Sequence, residues 1–245
     1  MRHPDQIHFS FFNSIAECFE QPVISHTHFK VSQSPNSVWQ NILFDPSENQ
    51  RWSETEIQEL TNEIKQNNWP NKIMTNSNTS SKVRMQLNRL TTKRTEWISM
   101  SKNLNDTPAL RPTKLNVVEV NSEELFQAWL AVVERALMRG KLAEQAFAKW
   151  LQMDQVKLLL GFENDVPVCT ALGYLEEGEI GLYLISTLED YSGRGYGTEI
   201  TQALMLNAKN RGYKTALLYA TPMGLPVYKK LGFNSFGIME VFEFL

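Results

Sequence analysis

Gly193, Gly195 and Gly197 stand at alternate positions in Ser192-Gly-Arg-Gly-Tyr-Gly197, and that spacing has a chemical meaning. Glycine takes positive φ freely and lets the backbone approach a ligand with no side chain in the way. From Thr198 to Arg211 the chain keeps helical time, with Ile200, Ala203, Leu204 and Ala208 on one face and Gly212 as the stop. A helix that opens directly after such a turn points free N–H groups, and the positive end of its dipole, at whatever sits there. Ser192 to Thr198 is therefore read as an anion site.

Missing residues narrow the choice of anion. A P-loop ends in Gly-Lys-Ser/Thr, and no lysine occurs between Glu189 and Ala208. The dinucleotide fingerprint runs G-x-G-x-x-G, with an acidic residue about twenty positions on to hold a ribose hydroxyl. Here the spacing is G-x-G-x-G, and no Asp or Glu falls between Glu199 and Glu240. That interval carries Lys209, Arg211, Lys214, Lys229 and Lys230 instead, which suits a ligand with several phosphates.

Leu188 to Thr198 resembles the pyrophosphate-arm motif of the GNAT superfamily of acyl-CoA-dependent N-acetyltransferases, Arg/Gln-x-x-Gly-x-Gly/Ala. Val227-Tyr-Lys-Lys-Leu-Gly-Phe233 is similar to a second motif of that family. The two occur in order, separated by one helix and the strand Thr215 to Ala220, and the resemblance covers roughly the last 130 residues. Two positions depart from the pattern. Ser192 stands where the family has its first Arg or Gln, and Thr221-Pro222 where an asparagine is often found.

The resemblance implies an α/β (α+β) fold, a mixed central sheet flanked by helices, and acetyl-CoA as co-substrate. In the family two central parallel strands part at a bulge and the pantetheine arm pairs with the exposed edge, which by position is Ile185, Ser186 and Thr187. Ser192, Gly193, Arg194, Gly195, Tyr196, Gly197 and Thr198 then take the pyrophosphate. Tyr228 falls on the tyrosine that protonates the departing thiolate. Glu179 is the nearest carboxylate for the general base, with Glu177 and Glu240 behind it, although many members deprotonate the amine through a water chain. The implied reaction is direct transfer of an acetyl group to a primary amine of a small molecule or peptide. Acidic residues at Glu176, Glu177, Glu179, Glu189 and Asp190 favour a cationic acceptor. Two other classes stay open: a non-catalytic acyl-CoA-binding or regulatory protein, consistent with Ser192, and a nucleotide-dependent enzyme of another fold.

Several elements must position these residues. Gly181 to Leu188 is an apolar, β-branched run that reads as a buried strand leading into the glycine turn. Before it, Leu158 to Glu163 and Pro167 to Leu175 form a hairpin around Asn164-Asp165. Leu115 to Val120 reads as a strand, Asn121 with Glu124 as the cap of a helix, and Ala143 to Met153 as a further amphipathic helix. Phe236 to Leu245 closes the sheet.

The first part of the chain holds no glycine before Gly140, so it cannot build a second loop of this kind. It alternates short strands (Val38 to Phe44, Lys72 to Thr75, Glu96 to Met100) with helices at 53–67, opened by a Ser53–Glu56 capping box, and at Ser80 to Leu90. That pattern resembles a degenerate GNAT-like half, or a cap, over residues 1–107. A proline-punctuated linker follows at 108–112, and the acetyltransferase domain at 113–245.

The chain of 245 residues is 42% apolar and 21% charged, an ordinary globular composition, with a net charge of −3. No nucleic-acid partner is expected from that balance. No run approaches membrane-spanning length and the N-terminus lacks an apolar signal core, so a cytoplasmic protein is expected. Cys18 and Cys169 are far apart. His26-Thr-His28, read as a strand, would put two rings on one face without a third ligand, so no metal site is expected.

Overall fold

The computed structural model describes residues 6–18, 23–33, 41–44, 46, 52–76, 79–109, 115–138, 141–142 and 144–244. The chain divides into two compact units, residues 1–98 with 237–245, and residues 99–236. The division falls inside two strands, β5 (Thr91–Asn103) and β11 (Asn234–Phe244). Of the expected linker, residues 110–112 lie outside the described residues, as do 38–40 of the first expected strand.

The first unit carries β1 (Ile24–Ser25), β2 (Lys30–Ser32), β3 (Ile42–Phe44) and β4 (Lys72–Met74), followed in sheet order by β11. β3 and β4 run parallel; the other pairs on that side are antiparallel. Its helices are α1 (Gln6–Cys18), α2 (Glu54–Lys65) and α3 (Ser81–Leu90). α2 starts where Ser53 accepts from Glu56 N and Glu56 answers on Ser53 N, the reciprocal box its sequence spells. Leu60 and Ile64 of α2 and Val83 and Leu87 of α3 bury one stripe each against Phe29, Leu43, Ile73 and Phe242. α1 was not anticipated. Its buried Ile7, Phe11, Ile15 and Cys18 recur at helical spacing, with Phe12 and Ala16 beside them, so the stripe is present in the sequence.

His26 and His28 lie in the bend between β1 and β2, not on a strand. His28 Nε2 is 2.5 Å from Glu56 Oε1, and His26 stacks on Phe29. Among the described residues no group of three possible ligands could hold a metal ion.

The second unit is a sheet in the order β10-β9-β8-β7-β6, formed by β6 (Asn116–Glu119), β7 (Val156–Glu163), β8 (Val166–Glu176), β9 (Glu179–Thr187) and β10 (Thr215–Ala220). β6 to β9 pair antiparallel and β9 with β10 parallel, giving the mixed sheet expected. Asn164 and Asp165, at φ 49° and 63°, make the tight β7–β8 turn; Glu177 and Gly178 repeat it before β9. α4 (Glu123–Val133) is capped by Ser122, not by Asn121, because the Ser122 hydroxyl accepts from Leu125 N. α4 runs on into a π turn at Glu134–Met138.

The helix expected over Ala143 to Met153 is shorter and mixed, α5 (Glu144–Phe147) followed by a 3₁₀ turn over Ala148–Gln152. The tighter turn accompanies burial of both Phe147 and Trp150, whose rings meet at 4.4 Å. α6 (Tyr196–Asn210) and α7 (Leu225–Lys230) complete the unit. Among the described residues no helix is long and apolar enough to cross a membrane.

Candidate functional site

β9 and β10 pair only over the first three residues of each. Thr215, Ala216 and Leu217 pair with Glu179, Ile180 and Gly181, and there the parallel ladder stops. The antiparallel ladder on the other side of β9 slips at the same level. Thr170 faces Ser186 and Leu172 faces Tyr183, so β9 spends two residues, Leu184 and Ile185, where β8 spends only Ala171. Leu184 sits at φ 47°, an αL conformation that a branched residue adopts only when its surroundings hold it there.

Thr170 supplies part of that hold: its hydroxyl bonds Leu184 O at 3.0 Å and Ser186 Oγ at 2.6 Å, in a fully buried setting. Thr170→Val keeps the shape and removes both contacts. We expect it to cost about 1–3 kcal/mol of stability, measured by chemical denaturation, because Leu184 O is left buried without its partner.

From the bulge onward, Ile185, Ser186 and Thr187 form the end of β9, with no partner in β10. The chain turns through Glu189–Tyr191 and reaches the glycine loop, where Gly193 is at φ 76° and Gly195 at φ 93°. Gly195 is the N-cap of α6 and brings no side chain to it. The first amides taken up are Thr198 N and Glu199 N, both on Gly195 O. Among the described residues, none of the five consecutive amides from Gly193 to Gly197 donates a hydrogen bond. Five such N–H groups at the head of a fifteen-residue helix could hold an anion. Ser192 N is already bonded to Glu189 O, so at this position only its exposed hydroxyl is left to offer.

α7 follows the end of β10 that has no partner in β9. It buries Tyr228, 9% exposed, whose ring meets Phe233 edge-on at 5.8 Å. Burial pushes the phenol up to about 12. A Cβ at Gly224 would stand 3.0 Å from the Tyr228 ring, a tight contact that the ring would have to yield to by a few tenths of an ångström.

Glu179 lies at the start of β9, in the paired region. Strand alternation and the β8 register put it on one face with Gly181 and Tyr183, beside Tyr174 and Glu176. Tyr183 leans back along its own strand: a Cβ on Gly181 would come within 2.6 Å of its hydroxyl. Burial above all, and then Tyr174 and Glu176, hold Tyr183 well above the usual phenol range. The opposite face, with Gly173 and Ile180, is covered by Leu204 of α6.

Glu240 belongs to the other unit. It is 3% exposed and is paired with Arg84 and with Arg94, the latter at 2.7 Å, which removes it from consideration as a base. Glu177 is a turn residue. Both cysteines are free and buried, and burial pushes the Cys169 thiol up to about 12, so it is no nucleophile at neutral pH.

Two residues of this site had no signal in the sequence. Thr170 reads as one more strand residue, and Glu163 as a strand-end charge. Glu163 accepts from Arg194 at 2.8 Å and from the Tyr196 hydroxyl.

Residues 117–243, just over half of the chain, match the family model described as an acetyltransferase (GNAT) domain. This chain belongs to the GNAT acetyltransferase family. An uncharacterized acetyltransferase of Streptococcus pyogenes serotype M1 is 35% identical over 78 residues, 31% of this chain and 54% of that protein. The chain thus spans about half the length of the curated relatives it matches. Among solved structures, a GCN5-related N-acetyltransferase from Kribbella flavida aligns with a TM-score of 0.70 at 14% identity, covering 99% of this chain and 96% of that one. A functionally unknown conserved protein from Staphylococcus epidermidis aligns at 0.66 and 13%, covering 91% and 93%. At such identities the likeness speaks for the GNAT fold.

Proposed function

We propose that the chain transfers the acetyl group of acetyl-CoA to a primary amine of a small molecule or peptide by direct attack. The observation that carries this reading is one juxtaposition: a strand edge left unpaired past a bulge, leading into five unclaimed amides. An amide-bearing pantetheine arm is an extended chain that can add to the edge of Ile185, Ser186 and Thr187 by backbone hydrogen bonds. The pyrophosphate then meets the amides of Gly193 to Gly197, framed by Ser192, Arg194, Tyr196 and Thr198.

The amine nitrogen attacks the thioester carbonyl, the C–N bond forms, and the C–S bond breaks. Tyr228 gives its proton to the sulfur. At a pKa of about 12 it is fully protonated at neutral pH. Burial that disfavours a phenolate disfavours a thiolate too, so the two basicities rise together and the transfer stays close to balanced. Glu179 takes the amine proton through water. It stands on the Tyr183 face before the bulge, opposite the face that α6 covers. With Glu176 beside it, this face favours a cationic acceptor.

The acetyltransferase part is assigned to residues 113–245, with 1–107 as a degenerate GNAT-like half and 108–112 as the join. Two buried, unbridged cysteines are in keeping with a cytoplasmic location.

The test is release of free thiol from acetyl-CoA in the presence of a panel of amines, with the acetylated product identified by mass. Turnover of at least one primary amine is expected, and Glu179→Gln should lower kcat by about a hundredfold while CoA binding holds. An unaltered kcat would assign the proton to water alone. A second reading, a non-catalytic acyl-CoA-binding protein, draws on Ser192 in place of the usual Arg or Gln. Tight CoA binding with no thiol release from any amine would favour it.

A further inference from the structure

The anion cradle has a carboxylate attached to it. Glu163 ends β7, beside the Asn164–Asp165 turn, and is 14% exposed. It accepts from Arg194 Nη1 at 2.8 Å and from the hydroxyl of Tyr196, a residue only 4% exposed. Arg194 is held further by donating Nη2 to Asp190 O at 3.1 Å and by lying over the Tyr191 ring, 4.9 Å from its centroid. The same carboxylate pushes the phenol of Tyr196 and the guanidinium of Arg194 to higher pKa, so both keep the proton that they donate.

By charge alone Glu163 is misplaced. A negative group tied to an anion-binding loop opposes every phosphate that approaches it. Its two donors, however, flank Gly195, the residue at φ 93° where the loop turns into α6. A segment with three glycines in five residues has many backbone conformations to lose on binding, and fixing it beforehand removes that loss.

We propose that Glu163 is a positioning residue for the cofactor loop, clamping Arg194 and Tyr196 on either side of Gly195 so that the amides of Gly193 to Gly197 stay directed at the pyrophosphate. Glu163 acts from a neighbouring hairpin and touches no reacting atom. This inference rests on the acetyl-CoA reading above.

The two effects of removing Glu163 have opposite signs, which makes the test decisive. Loss of a negative charge tightens binding of a polyanion, and loss of the clamp weakens it. CoA is titrated calorimetrically into the parent protein and into Glu163→Ala, Glu163→Gln and Tyr196→Phe, with a thermal melt of each ligand-free protein. Glu163→Ala should bind CoA about tenfold more weakly, with a melting temperature within a few degrees of the parent. Glu163→Gln, whose amide oxygen still accepts from Tyr196, should fall between the two, and Tyr196→Phe should lose about threefold.

Binding by Glu163→Ala as tight as the parent's, or tighter, overturns the proposal. Should that variant not fold, Glu163→Gln decides by the same comparison. A parent that binds no CoA overturns the acetyl-CoA reading itself, a result distinct from a parent that binds and variants that bind equally well.

Discussion

Gly195→Glu is expected to abolish measurable CoA binding, with an affinity loss of at least about a hundredfold by calorimetry. Two effects contribute, and a control separates them. Gly195 is at φ 93°, where an L side chain costs about 1–2 kcal/mol of backbone strain. A Cβ at that position would meet nothing within 4 Å, so no clash adds to the strain. Gly195→Ala therefore reports strain alone: it should lose about 1–2 kcal/mol of stability and keep CoA binding within about threefold. Gly195→Glu adds a carboxylate at the mouth of the five amides. Two like charges about 4 Å apart at an effective dielectric near 20 repel by about 4 kcal/mol, which is more than a hundredfold in affinity. If Gly195→Glu binds CoA like the alanine variant, the phosphates lie elsewhere and the cradle has another occupant.

Tyr228→Phe is the second large effect. The substitution removes one oxygen and keeps the ring packed against Phe233, so the melt and the CoA affinity should change little. If the hydroxyl protonates the leaving thiolate, kcat falls by about 10²- to 10³-fold at an unchanged KM for acetyl-CoA.

The pH dependence has a definite sign. In the proposed role Tyr228 acts in its protonated form, and burial pushes it up to about 12, so such an acid stays competent throughout the neutral and mildly alkaline range. From pH 7 to 10 this group should produce no fall in kcat. The same shift is a stability statement. The unfolded phenol ionises near 10 and the folded one near 12, so the fold is unaffected below the first value and loses stability as pH rises between the two. A kcat that collapses between pH 8 and 9, with the melt unchanged, would mean that another group supplies the proton.

Much of this could be read along the chain because the signals are local. Alternate glycines, a helix stop at Gly212, the Ser53–Glu56 box and the Asn164–Asp165 turn each depend on residues within a few positions of one another. The strand Thr215–Ala220 and the order of elements from β7 to β11 follow from hydrophobic runs cut by turn residues. The family motifs are legible for the same reason, since each is one contiguous segment.

Local signals also misled where packing overrode them. Ser122 rather than Asn121 caps α4, because its hydroxyl is the one that reaches Leu125 N. Ala143 to Met153 has helical periodicity, yet it tightens into a 3₁₀ turn where Phe147 and Trp150 are both buried. His26 and His28 are two apart in sequence, and a bend, not a strand, holds them.

The sequence by itself determined most of the elements from β6 onward, the glycine turn at the head of α6 and the residue types proposed as acid and base. Tertiary structure alone decided where the β9 ladders break and which side chains steady the turn that follows. The bulge at Leu184 exists because β8 and β9 are paired with unequal residue counts, which no single strand encodes. Thr170 and Ser186 meet across sixteen residues of chain, Glu163 and Arg194 across thirty-one. Glu240 is lost as a base only because β11 carries it to Arg84 and Arg94. Such pairings are set by which strands lie side by side, and their energy comes from partners far apart in sequence, so periodicity and spacing cannot reveal them.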